Sequence, residues 1–518
     1  MESVPPCPHK LWTRGGISLS KKLPIFYSAL LLTGVNLLLR FVGTSFQVYL
    51  SSRIGPEGIG LLQLVLSVNA MATVAGMAGI RTATMYLTAD ELGRRGCGGI
   101  RRTLSFCIGY SILCSGFVSL IVYRAAPFIA QNWIGNTLTA DALRLFSFFL
   151  PVICLTGVMT GYFTGAQRIG TLAAVEVAEQ LLCILCTLSL LKLAGNDAAR
   201  CCQSVIAGSG IGSCLTLMCL MILQLRMRMP PSPKRPIVRQ LLETAVPLAI
   251  ADDLKTGINT VENLMVPKRL ALFTGIASPL AAFGTVSGMV FPILMFPSCL
   301  LYGLAELLIP ELARCAAGDN HQRIGYLTSR TLKITAIYGL LLGGLEFLLA
   351  NRLTIRFYQS IEAGQQLRLY SLLIPMLYCD ILVDAMTKGL GQQKICVRYN
   401  IITSIMDVLL LYILLPEFGM VGYFISFFIT HLINFILSLH RLLLITKLRI
   451  PFSAAVLGLS AALGAILLIS KAPGAAQPLL YPITFFCLLI LFQVVDKRDI
   501  LWVKSLLLPA KKHPLTQR

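Results

Sequence analysis

Two polar stripes interrupt a chain that is otherwise strongly apolar. Thr33, Asn36, Arg40, Thr44 and Gln47 recur every three or four residues through the apolar run 24–50. Asp252, Lys255, Asn259 and Glu262 do the same through 240–266. Such intervals put each set on one helical face. Arg40, Arg81 in "AGIRTATMYL" and Lys255 place cations deep inside apolar runs. A guanidinium holds phosphate well, because its planar fork makes two parallel charge-assisted hydrogen bonds. Carboxylates lie inside other runs: Glu176, Glu179, Glu306, Glu346, Asp380, Asp384 and Asp407. At membrane depth such groups bind cations or carry protons, or else serve as partners for a neighbouring helix or a buried Arg. Asp252 and Lys255, one turn apart, could equally neutralise each other.

The elements that carry these groups follow from composition. Of 518 residues, 56% are hydrophobic and 13% charged, with a mean hydropathy of +0.76. A soluble domain carries roughly 25% charged residues, so this chain lacks the polar surface to cover itself in water. Apolar runs of about 20 residues, each able to cross roughly 30 Å of hydrocarbon, fall at 24–50, 59–88, 103–123, 145–165, 172–193, 203–225, 240–266, 278–309, 331–350, 369–390, 399–416, 420–440, 452–470 and 479–496. The fold class is an all-α polytopic membrane protein of about 14 transmembrane helices. A polar stripe on such a helix must face protein or water, since a charge at the bilayer centre costs about 2.5–3.5 kcal/mol even on insertion scales. Stripes on the first and seventh helices suggest a hydrated cavity. Pro292, Pro297 and Pro310, with Gly284 and Gly288, mark the eighth span as bent.

The net charge of +21 is a matter of topology. With the N-terminus inside, 30 of the 44 Lys and Arg fall in cytoplasmic segments, counting span ends with the adjoining loops, against 11 in external ones. That asymmetry places both termini in the cytoplasm and removes any need for a nucleic-acid partner. The segment before the first span lacks the short apolar core and cleavage site of a secretory signal. The 16 cysteines are scattered through apolar helices, and Cys183–Cys186, the one C-x-x-C pair, has no histidine near it; they read as small hydrophobes. Neither the short external loops nor the five histidines offer catalytic spacing, so no enzyme and no cofactor is expected.

"LRLFSFFLP" at 143–151 returns as "LRLYSLLIP" at 367–375, and "GAQRI" at 165–169 as "GQQKI" at 391–395. The copies open spans 4 and 10, six crossings apart, so they are parallel repeats with a site expected between two lobes. The expected organisation is a basic N-terminus (1–23), an N-lobe (24–227), a linker (228–239), a C-lobe (240–445), two further helices (446–496) and a basic tail (497–518).

"RIGPEGIGLLQL" (53–64), "AGIRTATMYLTADEL" (78–92), "GYFTGAQRIGTLAAVEVAEQ" (161–180), "VENLMVPKRLALFTG" (261–275) and "FPILMFPSCLLYGLAELLIPELA" (291–313) resemble the stage V sporulation protein B type of polysaccharide exporter. That type lies within the multidrug/oligosaccharidyl-lipid/polysaccharide (MOP) flippase superfamily. The resemblance implies a multi-pass protein of the bacterial cytoplasmic membrane, with MATE-like lobes. It would move undecaprenyl-pyrophosphate-linked oligosaccharides, such as a peptidoglycan precursor, by alternating access. By the same resemblance Arg40 matches the family's pyrophosphate-holding arginine of the first helix. Gln47 stands where a second basic residue is common, and Arg81 where proline is usual. The implied pyrophosphate ligands are Arg40, Arg81 and Lys255, with Asn36, Thr44, Gln47, Asn259 and Glu262 lining the cavity. Related lipid II flippases carry a sodium site on helices 7 and 11, which here corresponds by helix to Asp252 or Asp253 and Asp407; sodium or protons would drive the cycle. Expected partners are the lipid-linked substrate, membrane lipids and cell-wall synthases, with the chain a monomer. Two alternatives stay open: a cation-coupled multidrug exporter of the same superfamily, and a non-transporting scaffold for wall synthesis.

Overall fold

Backbone groups in hydrocarbon have no water to bond, so a single apolar segment crosses as a helix. A computed structural model of the chain describes residues 25–93, 100–194, 197–226, 237–448, 452–474 and 476–495; among these there are helices and no strands. Helix α1 (Ile25–Met77) carries the first span and the start of the second, separated by a break at Gly55 (φ 77°, ψ 176°). Helix α2 (Ile80–Gly93) completes the second span. Then come α3 (Ile100–Phe128), α4 (Ala140–Gly165), α5 (Ile169–Ala194), α6 (Ala198–Leu225) and α7 (Ile237–Leu270). The eighth span is broken: α8 (Pro279–Gly284), a π-helical turn and α9 (Phe291–Met295) are followed by α10 (Cys299–Ala317). Pro297 sits in that gap. Helix α11 (His321–Tyr358) is the ninth span, and α12 (Ile361–Ser371) with α13 (Ile374–Gly389) forms a tenth bent by 57°. Helix α14 (Gln393–Thr446) holds the eleventh and twelfth spans on either side of Gly419, and α15 (Phe452–Ile469) and α16 (Gln477–Leu491) end the series. Every one of the fourteen expected spans is thus present as a helix or a broken helix.

By compactness the chain falls into two units. The first is Met1–Cys299 with Asn400–Thr430, and the second is Leu300–Tyr399 with His431–Arg518. This grouping differs from the repeat-based lobes at 24–227 and 240–445, which remain a proposal about how the duplicated sequence is used. Its physical origin is that α7 is bonded to α1: Thr260 Oγ1 donates to the Ser67 carbonyl (3.1 Å) and Asn263 Nδ2 to Ser67 Oγ (3.0 Å). Gly60 and Gly284 bring α1 and α8 equally close. A Cβ on Gly284 would stand 2.7 Å from the Gly60 nitrogen, the kind of backbone approach that small residues permit in membranes. In the second unit α16 closes on α11, with Tyr481 Oη donating to the Leu340 carbonyl at 3.0 Å. Segments 1–23 and 497–518, and most of the 228–239 linker, lie outside the described residues.

The duplicated line takes two shapes. In the first copy α4 runs unbroken through Pro151. Proline removes the amide that would bond the carbonyl four residues back, and Ser119 Oγ supplies a donor to that carbonyl, Ser147 O, at 2.6 Å. In the second copy the chain breaks between α12 and α13, and Gly343 of α11 packs against the Ser371 carbonyl. Ser119→Ala should therefore lower the thermal unfolding midpoint in detergent, by about 1–2 kcal/mol of stability for an orphaned buried carbonyl. Pro151→Ala, which restores the amide donor, should remove most of that effect.

Candidate functional site

Arg81 owes its position to a break and a stripe of glycines. Ala78 (φ 43°) and Gly79 (φ 71°) interrupt the second span just before α2 begins, and Tyr110 Oη donates to the freed Ala78 carbonyl at 3.3 Å. On α4, Gly157, Gly161 and Gly165 recur every four residues against α2. A Cβ on Gly161 would lie 2.3 Å from the Arg81 carbonyl oxygen, and one on Gly157 would lie 3.9 Å from Arg81 Cβ. Small residues at this spacing let two helices touch along their backbones. Side chains of any other size would push α2, and Arg81 with it, away from α4.

Arg81 borders a cleft of about 180 Å³ walled by α2, α4, α5 and α6. Thr156 and Thr160 line it from α4, Glu176 and Glu179 from α5, and Ser213 and Thr216 from α6. Glu179 accepts from Ser213 Oγ at 3.2 Å and from the Thr216 hydroxyl. Glu176 is the carboxylate within electrostatic reach of Arg81. Arg40 is exposed on α1, with a polar or electrostatic contact of its own. A Cβ on Gly43 would be 3.8 Å from Gln180 Nε2 of α5. Spans 1 and 5 run the same way, so Arg40, about one turn before Gly43, stands level with Glu176, about one turn before Gln180.

The expected stripe on α7 is a real exposed face: Asp252, Lys255 and Asn259 are exposed, while Thr260 and Asn263 on the other side bond α1. Glu262 is half-buried and departs from that stripe, for it hydrogen-bonds Asp407 of α14. Asp407 is 7% exposed. Its Oδ1 accepts from Ser426 Oγ at 2.6 Å and Thr430 Oγ1 at 3.3 Å, both on the returning half of α14, and buried Tyr423 lies close to both carboxyls. The hairpin in α14 aligns these groups by turning at Gly419 (φ 57°). Arg269 locks the C-terminal end of α7 to it, donating from Nε (3.1 Å) and Nη2 (2.8 Å) to the Tyr412 carbonyl with its guanidinium 3.6 Å from the Tyr412 ring centroid.

Of the residues singled out from the sequence, the structure brings Asp407 and Glu262 together. It leaves Asp252 exposed and away from them, and Asp253 half-buried near Tyr110, with its Oδ1 unbonded among the described residues. Thr44 and Gln47 are half-buried on α1, and the Asn36 side chain lies outside the described residues. Ser426, Thr430 and Tyr423 escaped sequence reasoning, because hydroxyls in an apolar run look like ordinary helix residues until the Gly419 turn sets them opposite an acid. The placing of Arg81 against α4 did carry a signal, "GVMTGYFTG", whose glycine period fits a close helix contact. Among the described residues no set of three or more His, Cys, Asp or Glu side chains gathers as a metal site.

This arrangement is similar to that of known membrane transporters. Residues 26–267 match the polysaccharide biosynthesis protein family. The chain is 22% identical over 414 residues to stage V sporulation protein B of Bacillus subtilis, covering 76% of this chain and 78% of that one. It is also 22% identical over 281 residues to sporulation protein YkvU of the same organism, covering 51% and 61%. Among solved structures it is similar to the lipid II flippase MurJ in an inward closed conformation (TM-score 0.67, 14% identity, 91% of this chain and 100% of that one). An inward-facing multidrug resistance MATE transporter of the MOP superfamily matches at TM-score 0.64 with 15% identity, over 82% of this chain and 100% of that one. The resemblance read from the sequence is borne out, and the fold is that of the MOP transporters, an integral membrane protein.

Ser426→Ala would take the short hydroxyl donor from a buried carboxylate. The expected loss is roughly 1–3 kcal/mol, read as a lower thermal midpoint, with Ser426→Thr close to wild type.

Proposed function

We propose that this chain moves a lipid-linked oligosaccharide diphosphate, of the undecaprenyl-pyrophosphate type that carries peptidoglycan precursors, across the bacterial cytoplasmic membrane by alternating access. The observation that carries the reading is the presence of cations within the spans: Arg81 in a polar cleft, Arg40 exposed on α1 level with it, and Lys255 on the exposed face of α7. An unassisted diphosphate would face a prohibitive desolvation penalty in hydrocarbon. Guanidinium groups in a wet cleft replace its lost hydration while the prenyl tail stays in lipid. Likeness to stage V sporulation protein B and to the lipid II flippase MurJ supports this substrate class. No bond is made or broken, so the chain acts as a transporter rather than an enzyme. It works as a monomer, with both termini cytoplasmic by the positive-inside rule, among membrane lipids and alongside cell-wall synthases.

Glu262 and Asp407 are the coupling site in this reading. Two carboxyls sharing a hydrogen bond beside the Ser426 and Thr430 hydroxyls offer oxygens for sodium, or a place for a proton. This assignment replaces Asp252 and Asp253 with Glu262 and keeps Asp407.

Arg40→Ala should abolish head-group translocation in proteoliposomes while the protein stays folded by circular dichroism. Translocation at the wild-type rate by that variant would remove Arg40 from the site.

A cation-coupled multidrug exporter is the second reading, favoured by the MATE likeness and by the acidic pair itself. Under it, cells expressing the chain resist cationic dyes and Asp407→Asn abolishes the resistance. Under the flippase reading, dye resistance stays at background with either residue at 407. A scaffold without transport predicts that Arg40 and Glu262 can both be replaced without phenotype.

A further inference from the structure

Arg81 and Glu176 line the same cleft from α2 and α5, yet among the described residues no hydrogen bond or ion pair joins them directly. Glu179, one turn away, is occupied by the Ser213 and Thr216 hydroxyls. Glu176 is thus the carboxylate left to balance the guanidinium. Counted along the helices, Glu176 lies about 10 Å inside the cytoplasmic end of α5 and Arg81 about 18 Å inside that of α2, both well within their spans. An unbalanced guanidinium at such a depth is expensive. When the cleft is empty Glu176 supplies the balance, and a phosphate that enters takes over the role.

Transport adds a second requirement. A site that moves its cargo must bind strongly enough to load and weakly enough to unload. An arginine with no competing anion would hold a diphosphate and keep it. We propose that Glu176 is the release residue of the cleft: its carboxylate competes with the substrate's phosphate for Arg81, weakening binding and so permitting turnover. The inference rests on the reading that Arg81 binds the substrate's phosphates. Glu176 acts through Arg81 and is therefore a positioning residue, one that no motif of the sequence singles out for this role.

The test uses the full-length protein, with inorganic pyrophosphate as the calorimetric probe in detergent and a labelled lipid-linked diphosphate for translocation in proteoliposomes. Glu176→Gln should bind pyrophosphate about tenfold more tightly, the scale of removing one like charge from beside a ligand, and yet translocate more slowly. Tighter binding with slower turnover is a split that simple misfolding does not produce. Glu176→Asp, which keeps the charge, should stay within roughly twofold of wild type on both counts. In an Arg81→Ala background Glu176→Gln should no longer tighten binding. If Arg81→Ala weakens binding but Glu176→Gln leaves it unchanged or weaker, the release role is wrong and the reading of Arg81 survives. If Arg81→Ala binds pyrophosphate like wild type, or wild type binds none, the reading beneath the inference falls with it.

Discussion

Charge inside hydrocarbon is the constraint from which the rest of this molecule follows. Each ionisable group within a span has to be matched by an opposite charge, a hydrogen-bond donor or water, because the alternative costs several kcal/mol. Asp407 and Arg81 answer this constraint in two ways. Asp407 is buried and satisfied locally by the Ser426 and Thr430 hydroxyls, with the Glu262 carboxyl beside it. Arg81 is left facing a cleft, with Glu176 across it. The first solution fixes a compact acidic centre, and the second leaves a guanidinium bordering a polar cleft.

Both solutions depend on backbone geometry as much as on side chains. Close contact of α4 with α2 through Gly157, Gly161 and Gly165 holds Arg81 at the cleft. The reversal at Gly419 brings Ser426 and Thr430 back onto Asp407, and the Arg269–Tyr412 contact sets the register of α7 so that Glu262 arrives at the same point. Proline breaks are compensated one at a time, as when Ser119 bonds the carbonyl that Pro151 frees. Helix termini and kinks occur where the chain can afford them because a neighbouring side chain fills the missing bond.

Much of this was legible in the sequence because lipid simplifies the code. Apolar length alone located all fourteen spans, and the period of three and four found the exposed face of α7 through Asp252, Lys255 and Asn259. Glu262 continues the stripe in sequence, yet the same period gave no sign of its neighbour Asp407. A helical wheel ranks residues by angle, and cannot see a partner that a distant hairpin delivers. Among the acids of helix 7, which one lies beside Asp407 depends on where α14 packs, and there it is Glu262. The two copies of the nine-residue line were recognisable, whereas their different shapes were not, since one is set by Ser119 of α3 and the other faces Gly343 of α11.

The central claim is that cations within the spans carry a diphosphate through the membrane. Its most direct measurement is head-group accessibility in vesicles that hold the purified wild-type chain and a fluorescent lipid-linked oligosaccharide diphosphate, with a membrane-impermeant reductant added outside. The account predicts that signal from the inner leaflet is lost rapidly, and that excess unlabelled lipid-linked diphosphate slows the loss while cationic dyes do not. An inner-leaflet signal as persistent as in protein-free vesicles would contradict it.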